Sequence, residues 1–203
     1  MSNIIQFQEP YKSKRIQRYV EKSLKANYYS EGEFQEKCKI FLNENFGFKN
    51  TLITHSATGA LEVAALLLKE KYSNKTVYLP SYTFSSTANA FIRAGFKVEF
   101  VDINKNNMMI DFKEASKKAA ENILIPVHYG GHSVEMDGVS SFKKSGVLVE
   151  DAAQGLGTKW RNKQVGLFGN LSAISFHQTK NIQGGFAGLI SINDKKYFER
   201  AKY

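Results

Sequence analysis

One lysine of the sequence lies where it could act as a nucleophile. Lys180 falls within SFHQTKNIQGG, residues 175–185, which opens as an alternating segment typical of a strand end and closes on a glycine pair typical of a tight turn. A lysine that is partly removed from water holds its charge less readily, and its neutral amine attacks carbonyl carbon. The alternative is an ordinary surface lysine in a loop.

A carboxylate forms the second candidate group. Asp151 lies near the end of GVLVEDAA, residues 146–153, whose apolar start is typical of a buried strand. An unpaired carboxylate in such a place is costly, so we expect a cationic partner for it. Gln154 lies three residues further on and could share a ligand with Asp151 if the turn is helical. The alternative is that Asp151 makes an ordinary structural ion pair.

A run of small residues provides a candidate phosphate site. HSATGAL, residues 55–61, follows a short apolar run and opens a predicted helix. The free N–H groups and the positive end of the dipole at a helix start attract phosphate, and the hydroxyls of Ser56 and Thr58 would add donors. The GK[ST] signature of a Walker loop is absent. Simple capping of the helix by Ser56 or Thr58 is the alternative.

Taken together, these groups fit one ligand. Pyridoxal 5′-phosphate (PLP) needs a phosphate site, an acidic partner for its pyridine nitrogen and a lysine that bonds its aldehyde. Phe84, which follows another predicted strand, could stack on the cofactor ring. The sequence therefore predicts a PLP site, and it contains no spacing typical of a metal site.

The elements that must position these groups alternate along the chain. Apolar strand patterns and helical patterns follow one another from about residue 50, which predicts an α/β fold with three layers (α/β/α) and a mainly parallel sheet. Ligands bind at the carboxyl ends of such strands, where the candidate residues fall. We expect one domain over residues 1–203, with N-terminal helices at about 11–46 and an α/β core at about 50–203. The predicted strands are 51–54, 76–80, 97–103, 122–128, 146–153, 171–176 and 188–193.

Composition is that of an ordinary globular chain, with 203 residues and a formal net charge of +9. The densest basic run, residues 11–29, has helical spacing and is typical of a solvated helix face, and no nucleic-acid-binding motif accompanies it. We see no apolar run long enough to cross a membrane and no secretory signal pattern. With Cys38 as the one cysteine, we expect a cytoplasmic protein without disulfides, and we expect that thiol to be buried in a core stripe with Phe34, Phe41 and Leu42.

Several motifs in fixed order also resemble a known family. LPSYTFSSTANAFIRAGFKVEFVDI, IPVHYGGHSVEMD, VEDAAQGLGTKWRNKQVGLFGNLSAISFHQTKN and LISINDKK are similar to segments of the DegT/DnrJ/StrS family of PLP-dependent sugar aminotransferases. The resemblance runs from about residue 20 to the end of the chain. It implies the large, cofactor-binding domain of the aspartate aminotransferase fold (fold type I).

The resemblance also implies a role for each candidate residue. Lys180 would bond the cofactor aldehyde as an imine and shuttle a proton, and Asp151 would keep the pyridine nitrogen protonated. The remaining cofactor contacts would be Gln154 at the 3′ oxygen, Phe84 by stacking, and Ala57, Thr58 and Ser175 at the phosphate. The reaction would move an amino group from L-glutamate to a dTDP-linked 4-keto-6-deoxyhexose, for surface polysaccharide or lipopolysaccharide precursors such as O-antigen.

Two features depart from the family pattern. Family members run on past this length into a small C-terminal domain, so we expect a truncated transaminase, with a homodimer partner or a second chain supplying the missing part. Phe186, in QGGFAG, lies near the position of an expected glutamate. The alternative to an active enzyme is a catalytically silent remnant that binds PLP, a sugar nucleotide or a partner chain without turnover. A nucleic-acid-binding role is the third hypothesis, and no motif in the sequence supports it.

Overall fold

The computed structural model describes residues 9–26 and 32–203 of the chain. Within these ranges seven α-helices are present: α1 Lys14–Lys25, α2 Glu33–Phe46, α3 Ala57–Tyr72, α4 Ser85–Arg93, α5 Phe112–Lys118, α6 Val139–Phe142 and α7 Phe198–Ala201. None of the helices in this described part is both long and apolar enough to cross a membrane.

Nine strands are described, and seven of them form one sheet. The strands are β1 Thr51–Thr54, β2 Thr76–Pro80, β3 Lys97–Val101, β4 Ile123–Leu124, β5 Val147–Asp151, β6 Lys159–Trp160, β7 Lys163–Gln164, β8 Leu171–Ser175 and β9 Gly188–Ile192. The large sheet has the order β1-β9-β8-β5-β4-β2-β3, and β9 runs against its neighbours β1 and β8 whereas the other pairs are parallel. The predicted mainly parallel sheet is therefore confirmed, and the carboxyl ends of β1, β2, β5 and β8 meet at one edge.

The sheet is covered on both faces, as expected for three layers. Successive residues of β5 point to opposite sides: Val149 belongs to the core cluster that contains Leu61 of α3 and Phe91 of α4, whereas Leu148 belongs to the cluster that contains Phe142 of α6. Every residue of the central strands β5, β8 and β9 is buried, and burial of both faces explains why these strands are mostly apolar rather than alternating.

Some observed strands are shorter than predicted, because proline interrupts the hydrogen bonding or because only a few residues pair with the neighbouring strand. The run 122–128 forms a ladder only at Ile123–Leu124, because Pro126 has no N–H to donate, although Val127 still makes one bridge to Asp151. The hairpin of β6 and β7 was not predicted. Its turn places Arg161 and Asn162 at positive φ, which the sequence signals only weakly.

The expected burial of Cys38 is wrong. The thiol is exposed, and of its predicted stripe Phe41 is also exposed while Leu42 alone is fully buried, against Phe48. The physical reason is that α2 lies at the β1 edge of the sheet and turns only one narrow side to the core. Residues 27–29 of the basic run lie outside the described residues, and its described part behaves as predicted, since α1 has no buried residue.

Candidate active site

A cavity of about 660 Å³ opens at the carboxyl edge of the sheet. Its walls come from the segments that follow β1, β2, β5 and β8, which is where ligands bind in such sheets. All seven residues named from the sequence line it: Ala57, Thr58, Phe84, Asp151, Gln154, Ser175 and Lys180. The fold therefore brings together side chains that are distant in sequence.

Asp151 is the last residue of β5 and its side chain is buried. Its Oδ1 accepts the N–H of Ala153 at 3.1 Å, and its Oδ2 accepts the hydroxyl of Thr87 at 2.6 Å. In the part of the chain that the structure describes, Asp151 forms no ion pair; neutral donors hold the carboxylate, and Lys180 is near enough only to interact with it electrostatically. A buried anion with neutral partners fits a site for a cationic group of a ligand, such as a protonated pyridine nitrogen.

Lys180 lies in the loop between β8 and β9, and its side chain is half-buried at the cavity wall. Burial lowers the pKa of its amine, and the nearby negative charge of Asp151 raises it by a smaller amount. The net direction is downward, so the neutral, nucleophilic form is more accessible than in an exposed lysine. The side chain is therefore less exposed than the neighbouring loop residues Thr179 and Asn181.

The start of α3 forms the other end of the cavity. Ser56 caps the helix, with its Oγ accepting the N–H of Gly59 at 3.0 Å. The N–H groups of Ala57 and Thr58 are the first two of the helix, which have no intrahelical acceptor. Helix capping and anion binding are therefore compatible here, because the cap leaves those two donors directed beyond the helix end.

Ser175 stands beside this helix start, at the end of β8, and its side chain is buried. Its Oγ accepts the N–H of His177 at 3.2 Å, which leaves the hydroxyl proton available for an acceptor in the cavity. Two backbone donors and one hydroxyl donor at a helix N-terminus fit a phosphate group.

Gly188 is a supporting residue that the sequence reasoning missed. It pairs with Thr54 of β1 on one side and Ser175 of β8 on the other. A Cβ at this position would lie 2.5 Å from the nitrogen of Ala57, closer than real side chains approach backbone. Only glycine therefore lets the start of α3 rest on the sheet. A glycine at the beginning of a strand pattern was the available signal.

Gln154 and Phe84 complete the lining. The prediction that Gln154 shares a ligand with Asp151 assumed a helical turn. The segment Ala152–Gly155 is instead a single turn, closed by a 2.8 Å hydrogen bond from the N–H of Gly155 to the carbonyl of Ala152. The side chain still reaches the cavity, and its Oε1 accepts the N–H of Gly130 at 2.5 Å, which orients the amide NH₂ as a donor. Phe84, at the N-cap of α4, is 72% exposed at the cavity mouth.

A second aromatic ring lies at the same mouth. Phe186 is 80% exposed, lines the cavity and packs edge-on against His177, with 6.3 Å between ring centroids. The residue that departs from the family pattern thus forms part of the open rim rather than filling the interior.

A buried hydrogen bond between His128 and Glu150 lies next to the site, and the sequence did not predict it. His128 and Glu150 are both fully buried, with 3.0 Å between Nε2 and Oε2. Because His128 Nδ1 accepts the N–H of Val134, its Nε2 donates to Glu150. Glu150 also accepts three N–H groups, from Gly166, Phe168 and Gly169. One carboxylate next to Asp151 thereby fixes two loops to β5.

The fold and the site together define a class of protein. A mainly parallel α/β/α fold with a half-buried lysine, a buried aspartate and a helix start in one cavity is the fold of type-I, PLP-dependent enzymes. The model for the DegT/DnrJ/EryC1/StrS aminotransferase family matches residues 10–203, so the chain belongs to that family. PLP is the cofactor of the family, which agrees with the residues present.

Individual relatives agree with this assignment. The UDP-4-amino-4,6-dideoxy-N-acetyl-β-L-altrosamine transaminase of Campylobacter jejuni (strain 81-176) is 37% identical over 190 residues, which are 89% of this chain and 49% of that protein. PseC of Helicobacter pylori, an aminotransferase involved in pseudaminic acid biosynthesis, has a TM-score of 0.89 at 28% identity and covers 97% of this chain and 54% of that one. This chain spans about half the length of the curated relatives that it matches.

A more distant structure shares the fold. The PLP form of a sugar aminotransferase of Streptococcus pneumoniae gives a TM-score of 0.87 at 20% identity, with 98% of this chain and 57% of that chain covered. The arrangement of strands and helices is therefore common to proteins whose sequences have diverged widely.

Proposed function

We propose that this chain binds PLP in the cavity at the sheet edge and serves an aminotransferase that acts on a nucleotide-linked keto sugar. The observation that carries the proposal is the meeting of Lys180, Asp151 and the start of α3 in one cavity. When bound, PLP supplies an aldehyde for an amine and an electron-withdrawing ring that eases removal of a proton from the carbon beside it.

The residues of the chain divide this work between them. The amine of Lys180 would bond the cofactor aldehyde and, once displaced by the amino donor, would carry a proton between the substrate carbon and the cofactor. Its lowered pKa suits both tasks, since each needs the neutral amine. Asp151 holds a proton on the ring nitrogen, Gln154 donates to the ring's 3′ oxygen and Phe84 stacks on the ring. Ala57, Thr58 and Ser175 bind the phosphate.

For the substrates we propose L-glutamate as amino donor and a dTDP-linked 4-keto-6-deoxyhexose as acceptor, in the synthesis of surface polysaccharide precursors. The name of the Campylobacter relative supports a nucleotide-sugar class, with UDP as its nucleotide. We further propose that this chain forms the cofactor domain, and that a second copy or a second chain completes the sugar site. The open rim at Phe84 and Phe186 supports this, since both rings are largely exposed.

The cofactor assignment is tested by trapping. PLP added to the purified chain should produce a visible absorbance band, and borohydride should then fix the cofactor to the peptide that contains Lys180, identified by mass spectrometry. Lys180→Arg is the matched control, because it keeps a cation and loses the nucleophile. Labelling that persists at another lysine in Lys180→Arg would show that the assignment is wrong.

Turnover is tested separately from binding. Glutamate should bleach the visible band of the bound cofactor, and a keto sugar should restore it, with dTDP- and UDP-linked forms compared at equal concentration. The alternative, a protein that binds PLP without turnover, predicts a band that glutamate leaves unchanged. The exposed rim of the cavity is the observation that favours this alternative for the chain by itself.

A further inference from the structure

Two threonine hydroxyls connect the cavity rim to the buried carboxylate of Asp151. Thr87 Oγ1 lies 2.6 Å from Asp151 Oδ2 and 2.8 Å from Thr83 Oγ1. An ionised carboxylate can only accept, so Thr87 donates its proton to Asp151. Thr83 must then donate to Thr87, whose own proton is already used. The geometry therefore fixes the direction of both hydrogen bonds.

Because of where these threonines lie, their hydrogen bonds connect helix α4 to the Asp151 carboxylate. Thr87 is fully buried in the first turn of α4, and Thr83 lies in the segment between β2 and α4, next to Phe84. Asp151 ends β5, which is separated from β2 by β4. Within the described ranges, Thr87 is the one residue whose side chain donates a hydrogen bond to Asp151. This bond connects α4 to the end of β5, although β4 lies between β5 and β2.

We propose that Thr87 is a positioning residue that sets the orientation and charge distribution of the Asp151 carboxylate, with Thr83 acting through it. This inference rests on the proposed function, because the carboxylate matters chemically only where a ring nitrogen faces it. The N–H of Ala153 on Oδ1 and the hydroxyl of Thr87 on Oδ2 together prevent rotation of the carboxylate. One donor on each oxygen still leaves a lone pair free for the ligand.

The same bond also affects where a shared proton resides. A donor to Oδ2 stabilises the ionised carboxylate, which keeps the proton on the ring nitrogen rather than on Asp151. Without the hydroxyl, the carboxylate becomes a stronger base toward its ligand and is free to turn. The ring would then carry less positive charge and would withdraw electrons less strongly.

A purely structural role predicts a different outcome. Thr87→Val keeps the branched shape and replaces only the hydroxyl. If Thr87 acts only through packing, this change should lower stability without altering the bound ligand. Thr51→Val is the matched control, because Thr51 is also buried, lies in β1 and does not line the cavity. Thr87→Ser retains the hydroxyl and is the rescue variant.

The direct test is the ¹⁵N NMR resonance of PLP labelled at the pyridine nitrogen and bound to each variant. We expect Thr87→Val to move the resonance toward that of unprotonated pyridine, Thr87→Ser to restore the wild-type position and Thr51→Val to leave it unchanged. Thr83→Val should move the resonance in the same direction by less. An unchanged resonance in Thr87→Val, or an equal change in Thr51→Val, would overturn the inference.

A second readout needs no cofactor. The N–H of Ala153 donates to Asp151 Oδ1, so a carboxylate freed to rotate should let that amide exchange with solvent about fivefold faster in Thr87→Val than in wild type. If the wild-type chain does not bind PLP, the proposed function is wrong. Equal exchange rates for the Ala153 amide in wild type and Thr87→Val would show that the positioning role is wrong as well. If Thr87→Val does not fold, Thr83→Val carries both measurements.

Discussion

At Lys180 two opposing influences act on one amine. Burial disfavours the ammonium form and is the larger effect, while the negative charge of Asp151 favours it. The result is a lowered pKa, which makes the neutral amine more abundant near neutral pH. The same shift has a consequence for stability. Between the lowered pKa and the ordinary value of 10.5, the unfolded chain holds a proton that the folded chain has lost, so the folded state gains stability as the pH rises through that window.

Competitive labelling with acetic anhydride can measure this shift without any cofactor. The labelling of Lys180, followed by mass spectrometry as a function of pH, should give a midpoint below 10.5, whereas the urea-unfolded chain should give the ordinary value. Asp151→Asn should lower the midpoint further, because it removes the charge that raises the pKa. A midpoint that rises in Asp151→Asn would contradict this account of the site.

The residues that sequence alone could identify are those that follow strands. Lys180, Asp151 and Ser175 stand just after or at the ends of apolar runs, so their convergence follows from parallel topology. Thr87 and Gly188 could not be found this way, because their roles depend on contacts between distant segments. Cys38 shows the converse error, since helical spacing indicates a face but not whether another element covers it.

At the scale of elements, the start of α3 carries both a cap and a proposed anion site. Ser56→Ala removes the acceptor for the Gly59 N–H and should lower the free energy of unfolding by about 1 kcal/mol. It should also weaken PLP binding, because the first turn becomes less ordered. Urea denaturation and a PLP titration measure the two effects.

Asp111→Ala is the matched control for Ser56→Ala. Asp111 caps α5 by accepting the N–H of Glu114 at 3.1 Å and does not line the cofactor cavity. It should cost a similar amount of stability and leave PLP affinity unchanged. Equal affinities for PLP in the two variants would mean that the α3 start does not contribute to cofactor binding.

Strands with strong apolar patterns could be predicted from the sequence, and short elements could not. The runs 51–54 and 76–80 match β1 and β2 at both ends. The two-residue strands β6 and β7 carry no periodicity to detect, and their pairing depends on the turn between them. Local pattern therefore specifies long elements, whereas tertiary contacts specify the short ones.

At the scale of the whole molecule, ligand binding should appear as stability. If PLP binds only the folded chain, a concentration of 100 times Kd adds about 2.7 kcal/mol to the free energy of unfolding. For a domain of this size that corresponds to a rise in Tm of about 5–10 °C. Differential scanning calorimetry with and without PLP measures it, and Lys180→Ala should show a smaller rise. A Tm that does not respond to PLP in the wild-type chain would contradict cofactor binding.

The alternation of strands and helices was enough to predict the layered fold and the edge at which the site lies. The strand order was not predictable from it, and neither was the reversed direction of β9, which inserts between β1 and β8. That direction depends on how the loop after Lys180 turns back, and several glycines permit more than one path there.

The insertion of β9 has a consequence for how the molecule is made. β1, the first of the nine described strands along the chain, lies at the margin of the large sheet, and its hydrogen-bonding neighbour is β9, the last of the nine. Pairing β1 with β9 closes a long segment of chain, which is slow because of the lost chain entropy. The start of α3 packs on Gly188 of β9, so this contact cannot form before the two strands pair. We therefore expect the start of α3, the proposed phosphate site, to take its place on the sheet only after β9 has been synthesised and has paired with β1.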